Sequence, residues 1–244
     1  MNSVLLLGAM SDIGQALALQ YASEGWQVWL AGRNRDKLDL LRSDLEIRTE
    51  NREISAFQFD AIAFDSHESF YRGLPGRPDV TILIFGFLGD QDSAISDWAE
   101  AKQIVETNYT GAVSILNIIS SDMAQAGNGT IAGISSVAGD RGRQSNFIYG
   151  SAKAGFTAYL SGLRNAMHKK GVHVVTVKPG FVATRMTEHL DLPKPLTAQP
   201  GEVAEKIRKA IAKKKNVIYV RWMWRWIMLL IMHIPEFIFK RMKL

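Results

Sequence analysis

Residues 133–153 read Gly133-Ile134-Ser135-Ser136-Val137-Ala138-Gly139-Asp140-Arg141-Gly142-Arg143-Gln144-Ser145-Asn146-Phe147-Ile148-Tyr149-Gly150-Ser151-Ala152-Lys153. Tyr149 and Lys153 are four apart, so on a helix they share one face about a turn from each other. Ser136 lies thirteen residues before Tyr149, just past the β-type run Thr130–Ile134. A hydroxyl at a strand end facing a phenol and an ammonium on a helix is suited to a carbonyl. The serine polarises the oxygen, the tyrosine exchanges a proton with it, and the ammonium is expected to draw the phenol below its usual pKa of about 10. That is general acid–base chemistry for interconverting a ketone and an alcohol.

Near the N-terminus, Val4–Leu7 reads as a buried strand, and Gly8-Ala9-Met10-Ser11-Asp12-Ile13-Gly14 leads into a helical pattern through Ala22. Strand, glycine turn and helix start present backbone N–H groups and a helix N-terminus to a pyrophosphate, so Gly8, Met10, Ser11, Asp12, Ile13 and Gly14 are cofactor candidates. The second strand, Gln27–Gly32, ends at Arg33 with no acidic residue beside it. An acid there suits the ribose hydroxyls of NAD, whereas an arginine suits a 2′-phosphate, so the expected cofactor is NADP, with NAD as the alternative.

The glycine turn together with Ser136, Tyr149 and Lys153 resembles the short-chain dehydrogenase/reductase family. The resemblance implies an NAD(P)-dependent oxidoreductase acting on CH–OH groups and a Rossmann-like α/β fold: one doubly wound, parallel, seven-stranded sheet. It further implies that Asn108, in Glu-Thr-Asn-Tyr-Thr-Gly, supports a water relay to Lys153, and that Asp60 contacts adenine. Phe85-Gly86-Phe87-Leu88-Gly89 stands where the family usually carries Asn-Asn-Ala-Gly; the glycines remain but the asparagines are aromatic or aliphatic, leaving backbone groups, those of Phe85 and Gly86 among them, to meet the ribose. Pro179, Gly180, Val182 and Thr184 match the loop that meets the nicotinamide amide and the phosphates. Asp12 occupies the family's middle glycine, where a carboxylate repels phosphate unless it points away or caps the helix. Family members pair their long helices, which implies a homodimer or homotetramer.

The remaining pattern supplies strands at Ile54–Phe59, Asp79–Ile84, Val172–Val177 and Asn216–Val220. Helices are expected at Asp36–Leu45, His67–Leu74, Tyr149–Lys169 and from Pro200, with one unbroken helix over Trp98–Gln125. Arg185–Gln199 has few apolar anchors and reads as a mobile substrate lid, with His189 as a candidate substrate contact. At 244 residues a single α/β domain is expected, divided as 1–220 with a C-terminal extension at 221–244. The absence of cysteine excludes disulfides and thiolate chemistry, and no metal site is expected. With no signal-peptide pattern at the start, a cytoplasmic protein is expected.

The charge is uneven. From Lys206 onward eleven cationic residues face Glu236 alone, while the whole chain is only +5. A nucleic-acid binder with an evenly basic surface does not look like this, and no nucleic-acid partner is expected. Within the tail, Arg221–Ile234 is apolar nearly all round, but its uninterrupted apolar run is only Trp226–Met232, too short for the roughly 20 residues of a membrane span. Trp- and Met-rich surface flanked by basic residues suits a helix in a membrane interface, a wall for a lipid-like substrate, or packing on the body or a partner copy.

Phe85–Asp90, Asn108–Thr110, Ser135–Arg141, Asn146–Lys153 and His233-Ile234-Pro235 are similar to one branch of the family, the reductase of the decaprenylphosphoryl-ribose 2-epimerase system. That likeness implies a 2-keto pentose on a lipid phosphate as substrate, a flavoprotein oxidase as partner, and a peripheral position on the inner face of the membrane. It also implies NADH, against which the chemistry of Arg33 favours NADP(H). The alternatives are a reductase of a small soluble ketone or 3-oxoacyl group, and a non-catalytic NADP(H)-binding subunit.

Overall fold

In the computed structural model, which describes residues 2–188 and 190–242, seven strands form one fully parallel sheet in the order β3-β2-β1-β4-β5-β6-β9. These are β1 (Ser3–Leu7), β2 (Gln27–Gly32), β3 (Ile54–Gln58), β4 (Val80–Leu83), β5 (Gly129–Ile134), β6 (Val172–Lys178) and β9 (Val217–Tyr219). Their near-continuous apolar runs follow from burial on both faces, as a parallel sheet covered by helices requires. Along β1 the pleat divides the core: Val4 and Leu6 face one helical layer, Leu5 and Leu7 the other.

The first layer holds α1 (Asp12–Ser23), α2 (Arg35–Thr49) and α8 (Pro200–Ala212), through Leu17, Leu38 and Ile207. The second holds α3 (His67–Arg72), α6 (Gly111–Ala126) and α7 (Phe147–His168), through Tyr71, Ile115 and Phe156. Strand order reverses between β1 and β4, so a crevice opens at their C-terminal ends, the usual ligand position in such sheets. Gly8 makes the turn there at φ +100°, and any Cβ on it would lie 2.5 Å from the Phe85 backbone nitrogen.

Three expectations need correction. The helix over Trp98–Gln125 is not uniform: α5 (Trp98–Val105) passes through a π-turn at Glu106–Thr110 before α6 begins. The extra residue in that turn carries Asn108 inward to the 85–89 loop, a long-range demand that helical periodicity does not encode. A short helix, α4 (Gln91–Ser96), also precedes it, capped by Asp90, whose carboxylate accepts from Ser93 N at 2.7 Å. The 185–199 stretch is not a loose lid throughout. Strand β8 (Thr197–Ala198) pairs in parallel with β7 (Phe181–Val182), and a 3-10 turn at Lys194–Leu196 leads into it. His189 lies outside the described residues.

Third, helix boundaries shift: α2 spans Arg35–Thr49 rather than Asp36–Leu45, α3 stops at Arg72, and α7 begins at Phe147 and ends at His168. The tail folds back on the body, one of the arrangements expected of it. Helix α9 (Met223–His233) buries Trp224 and Met228 against Val137, and a short α10 (Glu236–Phe239) follows Pro235. Trp224 takes the space a side chain at residue 180 would need: a Cβ on Gly180 would lie 1.9 Å from its ring. Its indole N–H donates to Leu196 O at 3.1 Å.

Candidate active site

The C-terminal ends of six strands deliver the residues in question. Gly8 follows β1, Arg33 follows β2, Asp60 lies beyond β3, Phe85 follows β4, Ser136 lies beyond β5 and Pro179 follows β6. Two cavities share Ser11, Ile84, Gly86 and Met186. One, of about 220 Å³, is lined by Gly8, Met10, Arg33 and Asp60. The other, of about 340 Å³, is lined by Asp12, Ile13, Ser136, Tyr149, Lys153, Pro179, Gly180, Val182 and Thr184.

Ser136 is placed by the turn after β5: its Oγ accepts from Ala138 N at 3.1 Å and also hydrogen-bonds the Tyr149 hydroxyl. Lys153, one turn along α7 from Tyr149, is 3% exposed. Its Nζ donates to Ile134 O at 3.1 Å and sits 5.7 Å from the Tyr149 ring centre. Ser135 clamps this part of the helix by donating to Lys153 O at 3.0 Å.

The expectation that Lys153 lowers the Tyr149 pKa is overturned. Burial pushes the phenol up to about 12, with the Ser136 hydrogen bond only partly opposing it. Burial likewise pulls Lys153 down to about 8. Withdrawal from water disfavours each charged form, and here it outweighs their mutual influence. The result is a protonated phenol beside a cation near its titration point, a pair that can give up a proton.

Asn108 is fixed by three hydrogen bonds. Its amide donates to Phe87 O at 2.6 Å and Ile104 O at 2.8 Å, and its carbonyl accepts from Phe87 N at 3.3 Å. It does not touch Lys153. The two meet across Gly86, where an added Cβ would lie 2.9 Å from Asn108 Oδ1 and 3.4 Å from Lys153 Nζ. Any side chain there would press on both the amide and the amine.

In the other cavity Arg33 is exposed, and among the described residues no acid pairs with its guanidinium. Arg35, by contrast, is occupied, bonding Asp39 at 2.8 Å and Ala56 O at 2.5 Å. Asp60 turns its carboxylate to Ile62 N at 3.1 Å, while buried His67 holds its carbonyl at 2.9 Å.

Ser11, rather than Asp12, caps α1, accepting from Gly14 N at 3.0 Å. Asp12 points to the 185–199 stretch and accepts from Arg185 N at 2.9 Å and Arg185 Nε at 3.0 Å. The same guanidinium donates to Met10 O at 2.5 Å. Sequence reading missed Arg185; its one signal was an arginine directly after Thr184, opposite in sign to the misplaced acid.

Comparison with known proteins matches this arrangement. The profile described as short chain dehydrogenase matches residues 2–194. An uncharacterized oxidoreductase of Mycobacterium tuberculosis is 38% identical over 98% of this chain and 96% of its own. Another from Streptomyces coelicolor is 34% identical over 99% and 96%. A short-chain dehydrogenase from Sphingobium yanoikuyae, solved in complex with NADPH, superposes with TM-score 0.83 at 22% identity, covering 97% of both chains. An actinorhodin polyketide ketoreductase, solved with NADPH, gives 0.81 at 24% identity over 90% of this chain and 95% of its own. The chain belongs to the short-chain dehydrogenase family and is an NAD(P)-dependent oxidoreductase.

Proposed function

We propose that the protein is an NADPH-dependent carbonyl reductase whose substrate is a 2-keto pentose carried on a lipid phosphate, working peripherally at the membrane with a flavoprotein oxidase and assembling as a homodimer or homotetramer. The observation that carries the reductase reading is the convergence of Ser136, Tyr149 and Lys153 on one cavity, with the phenol held protonated. Bound along the groove, the cofactor supplies hydride to the carbonyl carbon. Ser136 donates to the carbonyl oxygen and stabilises its developing charge. Tyr149 hands that oxygen its proton, and Lys153 holds the ribose and stabilises the phenolate left behind. Asn108, facing Lys153 across Gly86, supports the water relay that the family resemblance implies for reprotonation.

The keto-sugar substrate is supported by the resemblance of Phe85–Asp90, Asn108–Thr110, Ser135–Arg141 and Asn146–Lys153 to the reductase of the epimerase system. Near the start of α7, Gln91 Nε2, Arg143 Nε and Asn146 Oδ1 are buried with no hydrogen-bond partner among the described residues. Gln91 is fixed at this point, its carbonyl accepting from Ile148 N at 3.0 Å. These three atoms lie outside the lining of the catalytic cavity. The test is NADPH oxidation, followed by absorbance, with a polyprenylphosphoryl 2-keto pentose against simple cyclic ketones and 3-oxoacyl thioesters. Preference for the keto sugar supports the reading; preference for a soluble ketone replaces its substrate, and no turnover on any of them overturns it.

Two predictions concern the cofactor. Arg33→Ala is expected to weaken NADPH binding about 10- to 100-fold, the ~1.5–3 kcal/mol of a charged hydrogen bond, while changing NADH binding less than about twofold. Fluorescence titration with both nucleotides checks it, and an equal effect on both removes Arg33 from the 2′-phosphate. Arg185→Gln leaves Asp12 uncompensated at the start of α1 and is expected to weaken NADPH about five- to tenfold. Adding Asp12→Asn should restore most of that loss, a coupling of about 1 kcal/mol in a double-mutant cycle. Additive effects would show that the pair does not act on the phosphate site.

A further inference from the structure

The tail has two apolar faces, and the structure uses only one. Trp224, Ile227, Met228 and Ile231 recur at helical spacing and pack against the body. On the opposite side of α9, Trp222 and Leu230 are each 72% exposed, and Trp226 and Leu229 lie between them, also open. On the following helix α10, Phe237 and Ile238 are exposed as well, at 64% and 45%. Single exposed apolar residues are ordinary; a contiguous group rich in tryptophan marks an interaction surface.

The segment is held in place from below. Arg141, from the loop between Ser136 and Tyr149, donates to Ile231 O at 2.5 Å and Ile234 O at 2.7 Å, satisfying carbonyls at the end of α9. It also pairs with Glu236 at 2.9 Å and stacks 3.7 Å above the Phe239 ring. Glu236 is the only acid from residue 221 to the end, and this pairing occupies it. Glu236 stays exposed within that pair, so among the described residues from 221 on the exposed charges left without an opposite partner are Arg225, Lys240 and Arg241, all positive.

We propose that the outward face of α9 and α10 seats the protein on an anionic lipid bilayer, with the helices lying flat in the interface. The sign of the rim selects this occupant. A second copy meeting the same face across a two-fold axis would bring Arg225, Lys240 and Arg241 against a like-charged rim. An anionic headgroup layer complements it, while the indoles and leucines enter the acyl boundary. Spanning is not available, since no helix among the described residues is long and apolar enough to cross a membrane. Because the inner face of α9 rests on Val137 and Gly180, docking also fixes the catalytic loops relative to the bilayer. The seat deepens the lipid-carried substrate reading and rests on it for its purpose, though its geometry does not depend on it.

The experiment is co-sedimentation of the full chain with vesicles of phosphatidylcholine alone and of equal parts phosphatidylcholine and phosphatidylglycerol, at low and high salt. Wild type is expected to bind the anionic vesicles and to lose most of that binding at high salt. Trp226→Glu with Leu230→Glu should cut binding at least about tenfold, with unchanged turnover of a water-soluble ketone. Lys240→Glu with Arg241→Glu should abolish the preference for phosphatidylglycerol. The proposal is overturned if wild type binds neither vesicle or if the Trp226/Leu230 variant binds as well as wild type. It is overturned equally if gel filtration shows that variant breaking a larger assembly, which assigns the face to a second copy. Turnover of the keto sugar without vesicle binding removes the seat and leaves the substrate reading; vesicle binding without that turnover does the reverse.

Discussion

Tyr149→Phe is expected to lower turnover about 10²- to 10⁴-fold, the usual contribution of a positioned general acid, while nicotinamide binding changes less than about twofold. The substitution deletes one hydroxyl and keeps the ring, which packs with Phe87 and Ile148, so the fold has no reason to change. The wild-type pH profile gives the second half of the test. With the phenol pushed up to about 12, Tyr149 is a filled proton reservoir throughout the neutral range. Lys153, pulled down to about 8, is the group that changes state within reach of an assay. Carbonyl reduction should therefore hold steady below about pH 8 and decline above it, as the cation that stabilises the phenolate is lost. Stopped-flow measurement of the reductive step against pH reads both. A Phe variant with near-normal turnover would assign the proton to another donor, and a profile rising through pH 8 would reverse the assignment of Lys153.

What the sequence made legible is what local spacing controls. The seven strands of the sheet follow from contiguous apolar runs ending in turn residues, and the i, i+4 relation of Tyr149 and Lys153 follows from helix geometry alone. The features that escaped depend on residues far apart in the chain. Asp12 meets Arg185 across 173 positions, and Arg141 holds Ile234 across 93. The π-turn at Asn108 answers to the loop at Phe87, and two-residue strands such as β7 and β8 carry no periodicity of their own. The reversal at Tyr149 has the same origin. Charge proximity can be read from a motif, but desolvation depends on everything packed around it, and here desolvation is the larger effect.

That balance makes Lys153 a liability to the fold, and Lys153→Met should show it. The wild-type amine is buried with a single hydrogen bond among the described residues, to Ile134 O, and its pKa lies at about 8 against an ordinary 10.5. A lysine whose folded pKa is depressed binds its proton more weakly in the native state than in the unfolded chain. Between pH 8 and 10.5 the unfolded chain therefore holds more protons, so wild-type stability rises with pH across that window. Below it the full penalty applies, on the order of 3 kcal/mol, less roughly 1 kcal/mol returned by the hydrogen bond. Methionine fills a similar volume without the charge, so the variant is expected to melt about 4–8 °C higher at pH 7, with turnover down at least about 100-fold. The stability gap should close as pH climbs toward 10.5, where the folded-state amine is neutral and the unfolded one is half titrated. Calorimetry of the cofactor-free proteins from pH 7 to about 10.5 measures the gap directly. A methionine variant less stable than wild type at pH 7 would show that the contacts of Lys153 outweigh its desolvation. The gain is largest without cofactor, since a bound ribose gives the ammonium partners that methionine cannot replace; adding NADPH should therefore stabilise wild type more than the variant.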